Sequence, residues 1–288
     1  MTEPKTHTLD APGAVLYYDV RSNDASAEPV LLLIGSPMGA DGFVTLAGHF
    51  TDRTVVTYDP RGAGRSKRTD GASATAVEEH ADDLHRLIGA LAAGPADILA
   101  SSGGAVNALA LAAKHPEQVR TLVAHEPPAA QELPDREQAL AVCDGIKQTY
   151  LREGFGPAMA KFIALVSHDG PIPDGYADQP GPDPAMFGLP TVDDGSRDDA
   201  VLGLNMPSCP AYRHDFAALR AASCRIVIGV GAESSRMLAG RAGIAVAERL
   251  GTPPVTFPGG HDGFVGGEYG GMGKPDEFAA TLREVLND

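Results

Sequence analysis

The sequence predicts an α/β fold, a mostly parallel sheet covered by helices on both faces. Three observations lead to it. Short runs of continuously apolar residues, as expected of strands buried on both sides, recur along the 288-residue chain. Between them lie segments whose apolar residues repeat at helical spacing, so strand and helix alternate. The one lapse in that rhythm, residues 128–215, is flanked by it on both sides and reads as an insertion into a single domain.

The elements follow in order. Residues 6–9 and 14–20 alternate in polarity across the turn-forming run Asp10, Ala11, Pro12, Gly13, which predicts a hairpin. Residues 30–34 form a buried strand ending at Gly35, and residues 54–58 a second, closed by Asp59, Pro60, Arg61 and Gly62. A helix follows with its apolar stripe at Val77, Ala81, Leu84, Ile88 and Leu91; Thr75 with Glu78 three residues on has the form of a capping box. Residues 97–100 are a strand, 103–114 a helix stopped by Pro116, and 119–124 another strand. Within the insertion, 137–153 and 158–166 are helical, whereas 169–196 is crowded with Pro, Gly and Asp and carries no period. The rhythm resumes with a strand at 225–230, a helix over 236–250, a strand at 255–257 and a last helix presenting Phe278, Leu282, Val285 and Leu286 on one face.

Composition narrows the function. At 43% apolar and 21% charged residues the chain is of the globular class, and a formal charge of -15 repels phosphate backbones and anionic lipid, so neither nucleic acid nor membrane is expected as a partner. No apolar run approaches the ~20 residues that cross a bilayer, and the first ten residues carry no leader pattern, so a cytoplasmic location is expected. Cys143, Cys209 and Cys224 are odd in number and lack C-x-x-C spacing, which argues against a disulfide framework or a zinc site; free thiols are expected.

In sheets of this kind chemistry collects at the carboxyl ends of strands. The run ADILASSGGAV (96–106) is strand, two serines, two glycines, helix. Small residues around a serine let the backbone turn sharply and hold its hydroxyl over a helix start, the plan of a nucleophile elbow. With Ala100 and Gly104 as the small positions the frame selects Ser102 over Ser101, and the Gly103 amide is placed as an oxyanion donor. Of the nine histidines, His261 alone follows a strand in a glycine-rich loop near the C-terminus.

With these motifs the sequence resembles the α/β-hydrolase family over nearly its whole length. LLLIGSPMG (31–39) is similar to the family's first oxyanion loop, YDPRGAGRS (58–66) to its turn after the next strand, and PGGHDGF (258–264) to its catalytic-histidine loop. The resemblance implies an eight-stranded sheet with a cap inserted after the sixth strand: core 1–127, cap 128–215, core 216–288. It also implies the chain order Ser, acid, His, with Ser102 as nucleophile and His261 as base. Ala100 replaces the usual Gly and Ser101 the common His; Ile34-Gly35 stands for His-Gly, so the second oxyanion amide falls on Ser36, Pro37 having none. Ser234 occupies the place after the seventh strand where the family usually has Asp, leaving Glu126 in VAHEPP (123–128) and Glu233 as candidate acids. Glu126 is preferred because a carboxylate ending a buried strand needs a partner such as an imidazole; Asp262 ranks last. Arg61 and Arg65 are assigned to turn stabilisation, and Met159, Met186 and Met206 are candidates to line the cavity.

The expected activity is hydrolysis of an ester, lactone or thioester of a small-molecule substrate through an acyl-enzyme, which calls for neither metal nor organic cofactor. Cleavage of a carbon–carbon or amide bond, acyl transfer, and non-catalytic binding of a small molecule remain open alternatives.

Overall fold

The computed structural model describes residues 3–206 and 208–288. Its strands are β1 (Lys5–Ala11), β2 (Ala14–Arg21), β3 (Leu31–Ile34), β4 (Val55–Tyr58), β5 (Lys67–Arg68), β6 (Ala96–Ser101), β7 (Val119–His125), β8 (Arg225–Gly231) and β9 (Val255–Phe257). They form one sheet in the order β1-β2-β4-β3-β6-β7-β8-β9, with β5 paired to β2. β2 runs antiparallel to β1, β4 and β5, and every pairing from β4 to β9 is parallel. The sheet therefore has nine strands where the sequence suggested eight; β5 is two residues long, too short to show any alternation. Counting it, the insertion follows the seventh strand in chain order.

The helices are α1 (Val44–Gly48), α2 (Val77–Leu91), α3 (Gly103–Lys114), α4 (Arg136–Glu153), α5 (Phe155–Val166), α6 (Ser208–Ala211), α7 (Phe216–Ala221), α8 (Leu238–Leu250) and α9 (Pro275–Asn287). Successive side chains of a strand point to opposite faces, and the core divides accordingly. Leu32, Ile98 and Leu122 pack with α2, α3, α7 and α8 on one face. Leu31, Leu33, Leu99 and Val123 pack with α1 and α9 on the other, where Phe278 and Leu282 are fully buried. Each such side chain contributes about 1.5–3 kcal/mol on leaving water.

Two local features differ from the sequence reading. α2 begins one residue later than the Thr75–Glu78 pattern suggests: the Ala76 amide donates to Glu79 Oε2 (2.8 Å), while the Thr75 hydroxyl accepts from Arg68 (2.6 Å). In the hairpin, Ala11 pairs with Ala14 across a two-residue loop in which Gly13 takes φ 73°, a conformation that favours glycine. Arg61 and Arg65 do stabilise turns: Arg61 grips both oxygens of buried Asp83 (2.6 and 2.7 Å), and Arg65 bridges Asp19 and Asp59. Asp59 also accepts the Ala40 amide (2.8 Å), which fastens the loop after β3 to the turn after β4.

Between β7 and β8, α4 and α5 enclose a third buried cluster, including Val142, Ile146, Tyr150 and Leu202, that rests on Leu238 and Ala242 of α8. Residues 169–196 hold only two single-turn helices, Tyr176–Asp178 and Pro184–Phe187. A π-helical turn, Ala200–Asn205, follows, its N-terminus capped by the Asp199 carboxylate. Among the described residues no helix is long and apolar enough to cross a membrane.

Three buried histidines predict an acid-sensitive fold. Burial pushes His80 down to about 3, and His125 and His214 down to about 4. The unfolded chain takes up these protons near pH 6.5, so stability present above that pH is lost as pH falls toward 4. Between pH 7 and pH 5 each histidine is expected to remove about 2 kcal/mol of unfolding free energy. Urea denaturation checks this: His214→Phe should reduce the pH 5 deficit by about that amount, and an unchanged deficit would contradict it.

Candidate active site

β6 ends at Ser101 and α3 starts at Gly103; between them Ser102 takes φ 56°, ψ −129°. That conformation costs a residue with a Cβ about 1–3 kcal/mol. The surroundings hold it. The Ser102 amide donates to the His125 carbonyl (3.0 Å), and its carbonyl accepts from the Ala105 amide (2.9 Å). A Cβ on Gly103 would lie 2.5 Å from the Ser36 carbonyl oxygen, and one on Gly104 would lie 2.8 Å from the Gly35 backbone, so both positions exclude any larger residue. Ser101 is 1% exposed, and Ser102 lines a cavity that Ser101 does not border.

His261 lines the same cavity, and its Nδ1 lies 2.7 Å from Glu126 Oε2. Glu126 follows β7 at φ 48° and is fully buried. Its other oxygen, Oε1, accepts from the Gly231 amide (2.8 Å) and the Ser234 hydroxyl (2.6 Å). Burial alone would raise this carboxyl's pKa, but the hydrogen bond and charge of His261, then His125 and the Ser234 hydroxyl, outweigh it and hold Glu126 below the usual carboxylate range. An ionised acceptor at Nδ1 fixes the tautomer of the neutral ring: Nδ1 carries the proton and Nε2 is the acceptor.

The two competing carboxylates are placed otherwise. Glu233 is paired with Lys274 (2.6 Å) on a side chain 59% exposed. Asp262 is exposed, lines the cavity and makes no hydrogen bond to the imidazole. Ser234, read in the sequence only as a departure, directly supports Glu126; a hydroxyl in the loop after β8 was the available signal.

Ser36 and Gly103 also line the cavity. Gly103 opens α3, where first-turn amides have no intrahelical acceptor. Ser36 follows β3 closely and its amide donates to no protein acceptor among the described residues; its hydroxyl bonds Asn205 Oδ1 (3.2 Å) from the π-helical turn. Asn205 was not anticipated, because it lies 169 positions further along the chain.

The cavity measures about 480 Å³, and Phe162, Leu165, Met206, Met237 and Leu238 make most of its wall apolar. Of the three methionines considered, Met206 lines it, Met159 packs in the cluster beneath α4, and Met186 is 77% exposed. Cys143 and Cys209 share the wall, but burial pushes both thiols up to about 12, so neither is a thiolate at neutral pH.

Residues 28–175 match the family model described as alpha/beta hydrolase fold. The chain belongs to the α/β-hydrolase family. It is 32% identical over 265 residues, 89% of either chain, to YraK, an uncharacterized hydrolase of Bacillus subtilis (strain 168). Among solved structures it is similar to a thermophilic esterase from Thermogutta terrifontis (21% identity, 99% and 98% of the two chains, TM-score 0.68). It is also similar to the enol-lactonase from Burkholderia xenovorans LB400 (16% identity, 98% and 100%, TM-score 0.67). An α/β-hydrolase enzyme is thus the level at which fold and family agree.

Proposed function

We propose that this α/β-hydrolase cleaves an ester, lactone or thioester through a covalent acyl-enzyme. Ser102 is the nucleophile, His261 the general base and Glu126 the acid that orients it, while the amides of Ser36 and Gly103 hold the oxyanion. The observation that carries the reading is the 2.7 Å bond between His261 and buried Glu126, in the same cavity as Ser102. A site drifted to simple binding has no need of an ionised, triply bonded carboxylate behind its imidazole.

The steps balance without a metal or cofactor. Nε2 of His261 takes the Ser102 hydroxyl proton as Oγ attacks the carbonyl carbon. The tetrahedral oxyanion collapses, the bond to the leaving oxygen or sulfur breaks, and that atom takes the proton from Nε2. Water, deprotonated by the same nitrogen, then attacks the acyl carbon, releasing the acid and returning the proton to Ser102. Residues 128–215 act as a cap whose apolar wall receives the acyl part. The esterase and enol-lactonase among the similar structures agree with this chemistry.

The test is rapid mixing with 4-nitrophenyl butyrate followed by an acid quench. A butyryl adduct on the intact protein and turnover of the ester are expected. Absence of both adduct and turnover across esters, lactones and thioesters would overturn the proposal.

A further inference from the structure

A second cavity, of about 310 Å³, meets the first at Ser102. Ser36, Pro37, Ser102, His261 and Asp262 border both, and from there the two diverge. Gly103, assigned to the oxyanion, lies only on the large cavity. Phe264 and Val265, which continue the chain from His261, lie only on the small one, together with Met38, Glu268 and Tyr269. A carbonyl attacked by Ser102 has two substituents, and the one that departs must sit along the imidazole that protonates it. His261 borders both cavities, but the residues that continue its loop, Phe264 and Val265, line only the small one, which favours the departing part there and the acyl part in the large one.

That wall is fixed in place. Both oxygens of Glu268 accept backbone amides, from Thr45 (2.7 Å) and Gly266 (2.7 Å), and the Tyr269 hydroxyl donates to Asp41 (2.5 Å). Its charge is of one sign: besides His261, the ionisable side chains at this cavity are Asp262, Glu268 and the phenol of Tyr269. Burial would raise the Glu268 carboxyl, but its hydrogen bonds at Thr45 and Gly266 hold it below the usual range, so it is anionic at neutral pH.

We propose that the 310 Å³ cavity is the leaving-group site and that it selects alcohols bearing no negative charge, taking neutral or cationic ones and turning carboxylates away. The proposal rests on the serine-hydrolase reading above. Apolar Met38, Phe264 and Val265 suit a compact alkyl group, and Tyr269 adds an aromatic ring to the lining, a group that attracts cations.

The experiment compares butyrate esters of three alcohols: 3,3-dimethylbutanol, choline and 4-hydroxybutanoate, the first two alike in shape. At low ionic strength the kcat/KM of the anionic ester is expected to fall about tenfold below that of the neutral one, with choline equal to it or better. Asp262→Asn should narrow the gap severalfold, and salt should do the same. Tyr269→Ala should change KM along a series of alcohols and leave the dependence on acyl length intact. Turnover indifferent to alcohol charge, or a Tyr269→Ala effect confined to the acyl series, would overturn this assignment alone. Failure to cleave any of the three with no acyl adduct formed would overturn the hydrolase reading and this one with it.

Discussion

Ser102→Ala and His261→Ala are each expected to lower kcat by about 10⁴–10⁶-fold, and the double variant to be no worse than the poorer single. Without the Ser102 oxygen there is no bond to the acyl carbon. Without the imidazole that oxygen keeps its proton and attacks slowly, so the second loss finds nothing left to remove. What survives is water attack on a carbonyl polarised by the amides of Ser36 and Gly103. The measurement is kcat on 4-nitrophenyl butyrate for the four proteins, with melting temperatures to confirm folding. Multiplying losses would mean that the two residues act in separate events, contrary to their common cavity.

Glu126→Gln is expected to lower kcat by about 10³–10⁴-fold, against less than about twofold for Glu233→Gln. The glutamine oxygen can keep the Gly231 amide and the Ser234 hydroxyl that Oε1 now receives. Its NH₂ then faces His261 Nδ1 where a carboxylate oxygen stands. Two donors cannot face each other, so Nδ1 becomes the acceptor and Nε2 carries the proton toward Ser102, the tautomer that cannot serve as base. Glu233 has no such reach, being engaged with Lys274 on the surface. The comparison is again kcat; the reverse order of losses would move the acid to Glu233.

How far the sequence could be read depended on whether a feature was local. The elbow was legible because Ser102, Gly103 and Gly104 are neighbours whose small size is itself the signal, and the structure explains it by the close approach of the Gly35 and Ser36 backbone. Buried strands such as β3 and β4 announced themselves by unbroken apolar runs. α1, α6 and α7 did not, since five, four and six residues give less than two helical turns of pattern. The π-helical turn has a period that no helical stripe matches. The choice between Glu126 and Glu233 turned on which side chain the fold directs inward, and the support from Ser234 on a contact across 108 positions. Neither is written in spacing.

Labelling with a fluorophosphonate, read by intact mass and peptide mapping, tests the central claim most directly. One adduct per chain on Ser102 is expected, formed at a rate that collapses in His261→Ala. A folded protein that stays unlabelled, or one labelled at Ser101 or elsewhere with Ser102 untouched, would contradict the assignment of Ser102 as a nucleophile activated by His261.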